Sequence, residues 1–155
     1  MFRLNLEPEY TGTSLFSAQT FLRDAVTSSR HKISIGIALP QYGSVVSPEA
    51  ILHVALEAEK MGLASLWVSD RLLLPTKPRD TWNGDPTWPE MFTTVYDPIE
   101  MLTWVAARTK SVKLGSSVLS GLFQNPVTLA RRFATLDRLS HGRVIAGIGQ
   151  GDFQD

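Results

Sequence analysis

The sequence has no cysteine. That excludes disulfides, a thiol nucleophile and a thiolate-ligated zinc or iron–sulfur centre. It also has no surplus of charge: 15 Lys and Arg offset 15 Asp and Glu, for a net charge of zero. Binding to nucleic acid by counterion release needs a basic excess, and an acidic tail needs the reverse. No apolar run approaches the ~18 residues of a membrane span. Histidine is sparse, at 3. His31 lies near the N-terminus, His53 inside a predicted helix and His141 in a predicted turn, so no two share a metal-ligand spacing. They cannot complete a Ser–His–Asp triad at the ends of the strands described below.

What is present is an ordinary globular composition, 43% hydrophobic and 19% charged over 155 residues. Residues 1–32 carry scattered apolar positions without a sustained period. They are expected to form an appended arm, irregular or with a short helix near Ala18–Val26. From Ile33 the pattern turns regular. Ile33–Leu39 (ISIGIAL) is apolar and β-branched and ends at Pro40, which predicts a strand. Ser47-Pro48-Glu49 opens a predicted helix through Met61, with a capping serine, a first-turn proline and an acid at the positive end of the dipole. Gly62 stops it. Ala64–Ser69 is a second predicted strand.

The same grammar recurs twice. Asp97-Pro98-Ile99-Glu100 starts a helix to about Thr109, and Val112–Leu119 (VKLGSSVL) is a third strand. Asn125-Pro126 starts a helix to Leu139, Ser140-His141-Gly142 turns the chain, and Val144–Ile148 is a fourth strand. Alternating strands and helices predict βαβ units and a parallel α/β sheet. Two architectures accommodate four such strands: a small doubly wound sheet, or half of an eight-stranded barrel, which takes ~250 residues in full. In both, chemistry gathers at the C-terminal ends of the strands.

Four places are picked out by that rule. Gln41 and Tyr42 follow strand 1 in a turn rich in Pro and Gly. Asp70 and Arg71 follow strand 2, either as rim acid and base or as a structural ion pair or loop anchor. The long connection from Arg71 to Tyr96 carries Trp82 and Trp88 among Pro75, Pro78, Pro86 and Pro89. Loops of this length often serve as lids. These aromatics suit covering a flat ligand, capping the rim or packing on a partner. Strand 3 contains Gly115-Ser116-Ser117, small residues that permit close approach. Strand 4 ends in Gly147-Ile148-Gly149-Gln150-Gly151-Asp152, which is glycine-rich without the GxGxxG dinucleotide fingerprint or the Lys-Ser/Thr of a P-loop. A small nicotinamide-binding domain is disfavoured because the fingerprint is also absent after strand 1.

Taken together, Trp67–Pro75 (WVSDRLLLP), Tyr96–Leu119 (YDPIEMLTWVAARTKSVKLGSSVL) and Asn125–Asp152 (NPVTLARRFATLDRLSHGRVIAGIGQGD) resemble the N-terminal half of the luciferase-like monooxygenase family, which includes flavin- and deazaflavin-dependent oxidoreductases. The similarity runs from about Lys32 to Asp155. It implies parallel β/α units forming the N-terminal half of an eight-stranded TIM-type barrel over residues 33–155, cut short of the second half. It implies FMN or a deazaflavin coenzyme at the strand C-ends, a small-molecule substrate and a cytoplasmic setting, with no nucleic acid or membrane partner. A non-proline cis peptide that backs the ring in the family maps to Ser117-Val118. Asp70 matches an acidic position after strand 2. Arg71 stands where deazaflavin members often have His, and an arginine cannot shuttle protons near pH 7. Asp152 matches an acid after the glycine-rich strand. The expected site is therefore Asp70, Arg71 and Asp152 as catalytic groups, with Ser117, Val118, Gly149 and Gly151 at the cofactor. The alternative is a non-catalytic half-barrel or interaction module, associating with copies of itself through open barrel edges.

Overall fold

The computed structural model describes residues 33–77, 81–82, 85 and 87–151. The arm expected over 1–32 and its helix lie outside the described residues, as do Pro78, Pro86 and Asp152. Strand β1 (Gly36–Ala38) leads to helix α1 (Pro48–Lys60), strand β2 (Ser65–Val68), a 3-10 turn (Glu90–Thr93) and helix α2 (Pro98–Ala106). Strands β3 (Lys113–Ser116) and β4 (Leu119–Ser120), helix α3 (Pro126–Leu139) and strands β5 (Val144–Ile145) and β6 (Ile148–Gly149) follow. Among the described residues, no helix is long and apolar enough to cross a membrane.

Every described pairing between these strands is parallel. The main sheet has the order β1-β2-β3-β5. Strands that follow one another in sequence therefore lie side by side, with no reversal of direction across the sheet. A doubly wound nucleotide-binding sheet reverses at its switch point, whereas a barrel wall does not. The order selects the barrel reading.

Each helix begins as its sequence dictates. Ser47, Asp97 and Asn125 are the N-caps, each followed by proline. Ser47 Oγ accepts from Ala50 N at 3.1 Å, and Asp97 Oδ1 from Ile99 N and Glu100 N at 2.9 and 3.2 Å. Asn125 Oδ1 accepts from Val127 N and Thr128 N at 3.0 and 3.2 Å. The Glu100 carboxylate accepts from Arg132 Nη2 at 2.6 and 2.7 Å, which ties α2 to α3. Helix α1 ends on Gly62 at φ 78°. Leu63 N donates to Ala58 O and Gly62 N to Glu59 O, both at 3.0 Å, so the last carbonyls are satisfied.

Two expected strands are interrupted. Val112–Leu119 divides into β3 and β4 around Ser117 and Val118, and Val144–Ile148 into β5 and β6 around Ala146 and Gly147. The breaks face one another: β4 and β6 form a separate two-stranded ladder, with Leu119 opposite Ile148 and Ser120 opposite Gly149. The first strand is also shorter than its apolar run, because only β2 flanks it in this sheet.

The two faces of the main sheet differ. Leu66, Val68 and Leu114 are buried in the core with Ile51 and Ala55 of α1, Leu102 and Val105 of α2, and Leu129, Phe133 and Leu136 of α3. The opposite face carries Gly36, Ser65, Trp67 and Gly115. An added Cβ would meet the Trp67 side chain at 2.6 Å from Gly36 and 2.4 Å from Gly115. The indole thus lies across two glycines of neighbouring strands, and its Nε1–H donates to Ser65 Oγ at 2.8 Å.

The N-terminal ends of the strands are held by two charged groups. Arg143 is 6% exposed. Its Nε donates to Ser140 O, Nη1 to Thr109 Oγ1 and Val112 O, and Nη2 to Ala106 O and Thr109 O, at 2.7–3.2 Å. All donors of the fork are thereby satisfied, and the charge sits at the negative ends of α2 and α3. Burial lowers the Arg143 pKa from its ordinary value, and the charge of Glu59 works against that shift. The Glu59 Oε1 atom accepts from the amides of Lys110, Ser111 and Val112 at 2.6–3.0 Å and from the Ser111 hydroxyl at 3.1 Å. Burial opposes ionisation there, but the combined hydrogen bonds win and hold the carboxyl at about 2, below its ordinary value of 4.5.

Because the folded-state pKa of Glu59 is depressed, its contribution is present above pH 4.5 and is lost as pH falls toward 2. Glu59→Gln is expected to lower stability at pH 7 by on the order of 1 kcal/mol after solvent screening. Urea denaturation at several pH values is expected to show that gap closing between pH 4.5 and 2.

Candidate active site

At the C-terminal ends of β1, β2 and β3 lies a cavity of about 490 Å³. Its lining comprises Ala38, Leu39, Gln41, Tyr42, Trp67, Val68, Ser69 and Ser117. That size suits a ligand of cofactor or substrate dimensions. A smaller apolar cavity of about 210 Å³ lies on the helix side between α1 and α2, bounded by Ile51, Met101 and Trp104. It is apart from the strand ends.

Gln41 closes the wall between β1 and β2. It is 2% exposed, and its amide is fully engaged. Nε2 donates to Ser69 O at 2.5 Å and to Tyr96 O at 2.8 Å, while Oε1 accepts from Ser69 N at 2.7 Å. A hydroxyl–hydroxyl hydrogen bond joins Tyr42 to Ser69. The turn after β1 also pairs with the end of the long loop: Gly43 N donates to Thr94 O at 3.0 Å, and Tyr42 bridges Val95 in antiparallel fashion.

On the cavity side of β3 the Ser117–Val118 peptide is cis. Ser117 N donates to Val68 O at 2.6 Å. Val118 is 48% exposed, and Gly149 lies against it: an added Cβ there would meet Val118 Cγ2 at 2.5 Å. Just before, Gly147 abuts the Ser116 carbonyl so closely that a Cβ would fall 2.0 Å from its oxygen. The Ser116 hydroxyl donates to Gly147 O at 2.8 Å and accepts from Gly147 N at 3.1 Å. Gly151 has φ 86°, a backbone that side chains disfavour.

Asp70 Oδ2 accepts from Ser120 N at 3.0 Å. The carboxylate after β2 thereby holds β4 beside the cis peptide. Ser120 itself is 4% exposed, and its hydroxyl is the buried side-chain oxygen without a partner among the described residues. Arg71 turns to the loop. Its guanidinium carbon lies 4.7 Å from the Trp88 ring centre, 5.3 Å from Phe92 and 5.9 Å from Trp82. These rings pack on one another at 4.9–6.2 Å, and Tyr42 joins them edge-on to Phe92 at 5.4 Å. Such cation–ring contacts are each worth ~0.5–2 kcal/mol.

A family model for luciferase-like monooxygenases matches residues 27–155. The chain belongs to the luciferase-like monooxygenase family. Over 125 residues it is 37% identical to an F420-dependent glucose-6-phosphate dehydrogenase of Amycolatopsis mediterranei, covering 78% of this chain and 32% of that one. The coenzyme F420-dependent tetrahydromethanopterin reductase of Methanopyrus kandleri superposes with a TM-score of 0.56 at 30% identity, covering 78% of this chain and 28% of the reductase. The oxygenating constituent of 3,6-diketocamphane monooxygenase from Pseudomonas putida, solved with FMN, shares the fold (TM-score 0.58, 20% identity, 79% and 30% coverage). The chain thus spans about a third of the length of the relatives it matches. Its α/β architecture of parallel strands is that of a partial luciferase-like barrel.

The expected site residues of this luciferase-like chain are only partly gathered. Ser117 lines the cavity, with Val118 and Gly149 beside it. Asp70 and Arg71 are engaged with Ser120 and the loop rings respectively. Asp152 lies outside the described residues. Trp67, the cavity floor, was legible only as part of an apolar strand. Gln41 and Tyr42 were picked out by their place after strand 1, but their partners Ser69 and Tyr96, distant in sequence, were not.

Asp70→Ala is expected to leave Ser120 N, on a residue 4% exposed, without its acceptor. A loss of about 1–3 kcal/mol in urea denaturation is the expected result. Retention of wild-type stability would mean that the carboxylate does not hold β4.

Proposed function

We propose that this chain forms the ring-binding half of an oxidoreductase that uses FMN or a deazaflavin coenzyme to transform a small molecule in the cytoplasm. The observation that carries the proposal is the exposed Ser117–Val118 segment at the mouth of the 490 Å³ cavity, opposed by a glycine where any side chain would collide. Membership of the luciferase-like family and similarity to F420-dependent relatives support it.

The residues present fit a flat ring. Ser117 and Val118 offer a backbone edge and a methyl surface, and Gly149 removes the bulk that would displace Val118. Gly151, at φ 86°, extends the glycine run that follows β6. A cofactor of this kind supplies hydride or oxygen chemistry when bound. The protein contributes position and field. Asp70 keeps β4 in place through Ser120, and Arg71 keeps the aromatic loop over the strand ends. The geometry favours these holding roles for Asp70 and Arg71 over direct proton transfer. Ser120 Oγ is a buried hydroxyl still available to a bound group.

Titration with FMN and with a deazaflavin coenzyme, followed by cofactor fluorescence, is expected to saturate for one of them. Gly149→Val and Ser117→Trp are each expected to weaken that binding tenfold or more by pushing Val118 or filling the mouth, with far-UV circular dichroism unchanged. Equal binding by wild type and both variants would refute the assignment, as would the absence of saturable binding.

The second reading is a half-barrel module that self-associates. It is favoured by β1 and β5, the outermost strands of the main sheet, and by exposed Ile35, Ile37, Ile145 and Ile148 near these edges. Sedimentation velocity with an absorbance scan is expected to separate the readings. A colourless dimer indicates the module, and a cofactor-coloured species indicates the oxidoreductase.

A further inference from the structure

We propose that the Tyr42–Ser69 hydroxyl pair is the polar anchor of the cavity, and that it selects small apolar substrates bearing one carbonyl or alcohol oxygen. This deepens the oxidoreductase reading and rests on it for the placement of substrate beside the ring site. Both residues line the cavity, together with apolar Ala38, Leu39, Val68 and Trp67.

Accounting for the polar side chains in the wall leaves this pair and the Ser117 hydroxyl, which belongs to the segment proposed to back the ring. The Gln41 amide is spent on the Ser69 backbone and on Tyr96 O. The Trp67 indole N–H is spent on Ser65. The Ser69 backbone N–H and carbonyl are taken by Gln41. Two hydroxyls carry two O–H protons, and the bond between them uses one. Whichever oxygen donates, one O–H and several lone pairs remain, and no other partner engages them among the described residues. A carbonyl oxygen takes that spare proton, whereas an alcohol donates to the spare lone pairs. Among the described residues, those lining this wall carry no charge to meet a cationic or polyanionic group.

The pair is also held in place. The Tyr42 ring meets Phe92 edge-on at 5.4 Å and 88°, and Ser69 is clamped at both backbone atoms by Gln41. Val68 pairs with Ser116, so the next residues, Ser69 and Ser117, both reach the same cavity. An oxygen anchored at the pair therefore sits beside the segment proposed to back the ring.

The test is a ligand-observed NMR titration with cyclohexanone, cyclohexanol and methylenecyclohexane, the last replacing oxygen by a methylene. Wild type is expected to bind both oxygenated probes about tenfold more tightly than methylenecyclohexane, the size of effect one net hydrogen bond produces. Tyr42→Phe and Ser69→Ala are each expected to lose part of that preference, because the hydroxyl left behind keeps its own proton and lone pairs. The double variant is expected to lose most of it. Binding of methylenecyclohexane is expected to stay the same throughout, which distinguishes a lost anchor from a damaged fold. Equal preference for oxygen in wild type and variants would overturn the proposal, and so would the absence of saturable binding by wild type. Oxygen-dependent probe binding without cofactor binding would sink the oxidoreductase reading and leave the anchor standing.

Discussion

The site depends on one close contact, that between Ser116 and Gly147. The carbonyl of Ser116 occupies the space a side chain at 147 would need, and its hydroxyl bonds both the N–H and the C=O of that glycine. Two neighbouring strands are thereby locked together at the level where both leave the main sheet. Beyond the lock, they pair again as β4 and β6 in a ladder of their own. The offset turns Ser117 and Val118 out toward the cavity, and Asp70 secures the new ladder from β2 through Ser120. With alanine at 147, the carbonyl and strand could not both keep their positions.

The groups that hold the strands and the proposed site lie at opposite ends of the sheet. At the N-terminal end, Arg143 binds carbonyls at the ends of α2 and α3, and Glu59 gathers the amides of the loop into β3. A buried guanidinium without a directly bonded carboxylate is tolerable because every donor is used and two helix ends supply negative potential. At the C-terminal end, by contrast, there are polar groups not fully committed within the chain, such as the Ser120 hydroxyl and the spare hydrogen-bonding capacity of Tyr42 and Ser69. Residual polar capacity beside an apolar cavity is what a ligand site requires.

The long loop after β2 joins that end through aromatic contacts. Arg71 inserts its charge among Trp82, Trp88 and Phe92, and Phe92 reaches Tyr42 in the cavity wall. The loop thereby touches a residue that lines the cavity. The Gln41–Tyr96 and Gly43–Thr94 hydrogen bonds fasten the far end of the loop to the turn after β1.

The sequence alone determined the helices, their caps and stops, and the alternation that makes the sheet parallel. These features rest on interactions spanning a few residues: Asp97 reaches Ile99 N, and Gly62 lets the chain reverse after α1. It also marked the small and glycine positions near Ser117 and Gly149, which any close approach demands. Only the tertiary structure decided the strand order, the facing breaks in strands 3 and 4, and the laying of Trp67 over Gly36 and Gly115. It alone directed Asp70 to Ser120, Arg71 to the loop and Gln41 to Ser69 and Tyr96. Those pairings join residues far apart in the chain, and no local pattern encodes which of several neighbouring polar groups will meet once the sheet brings the strand ends together.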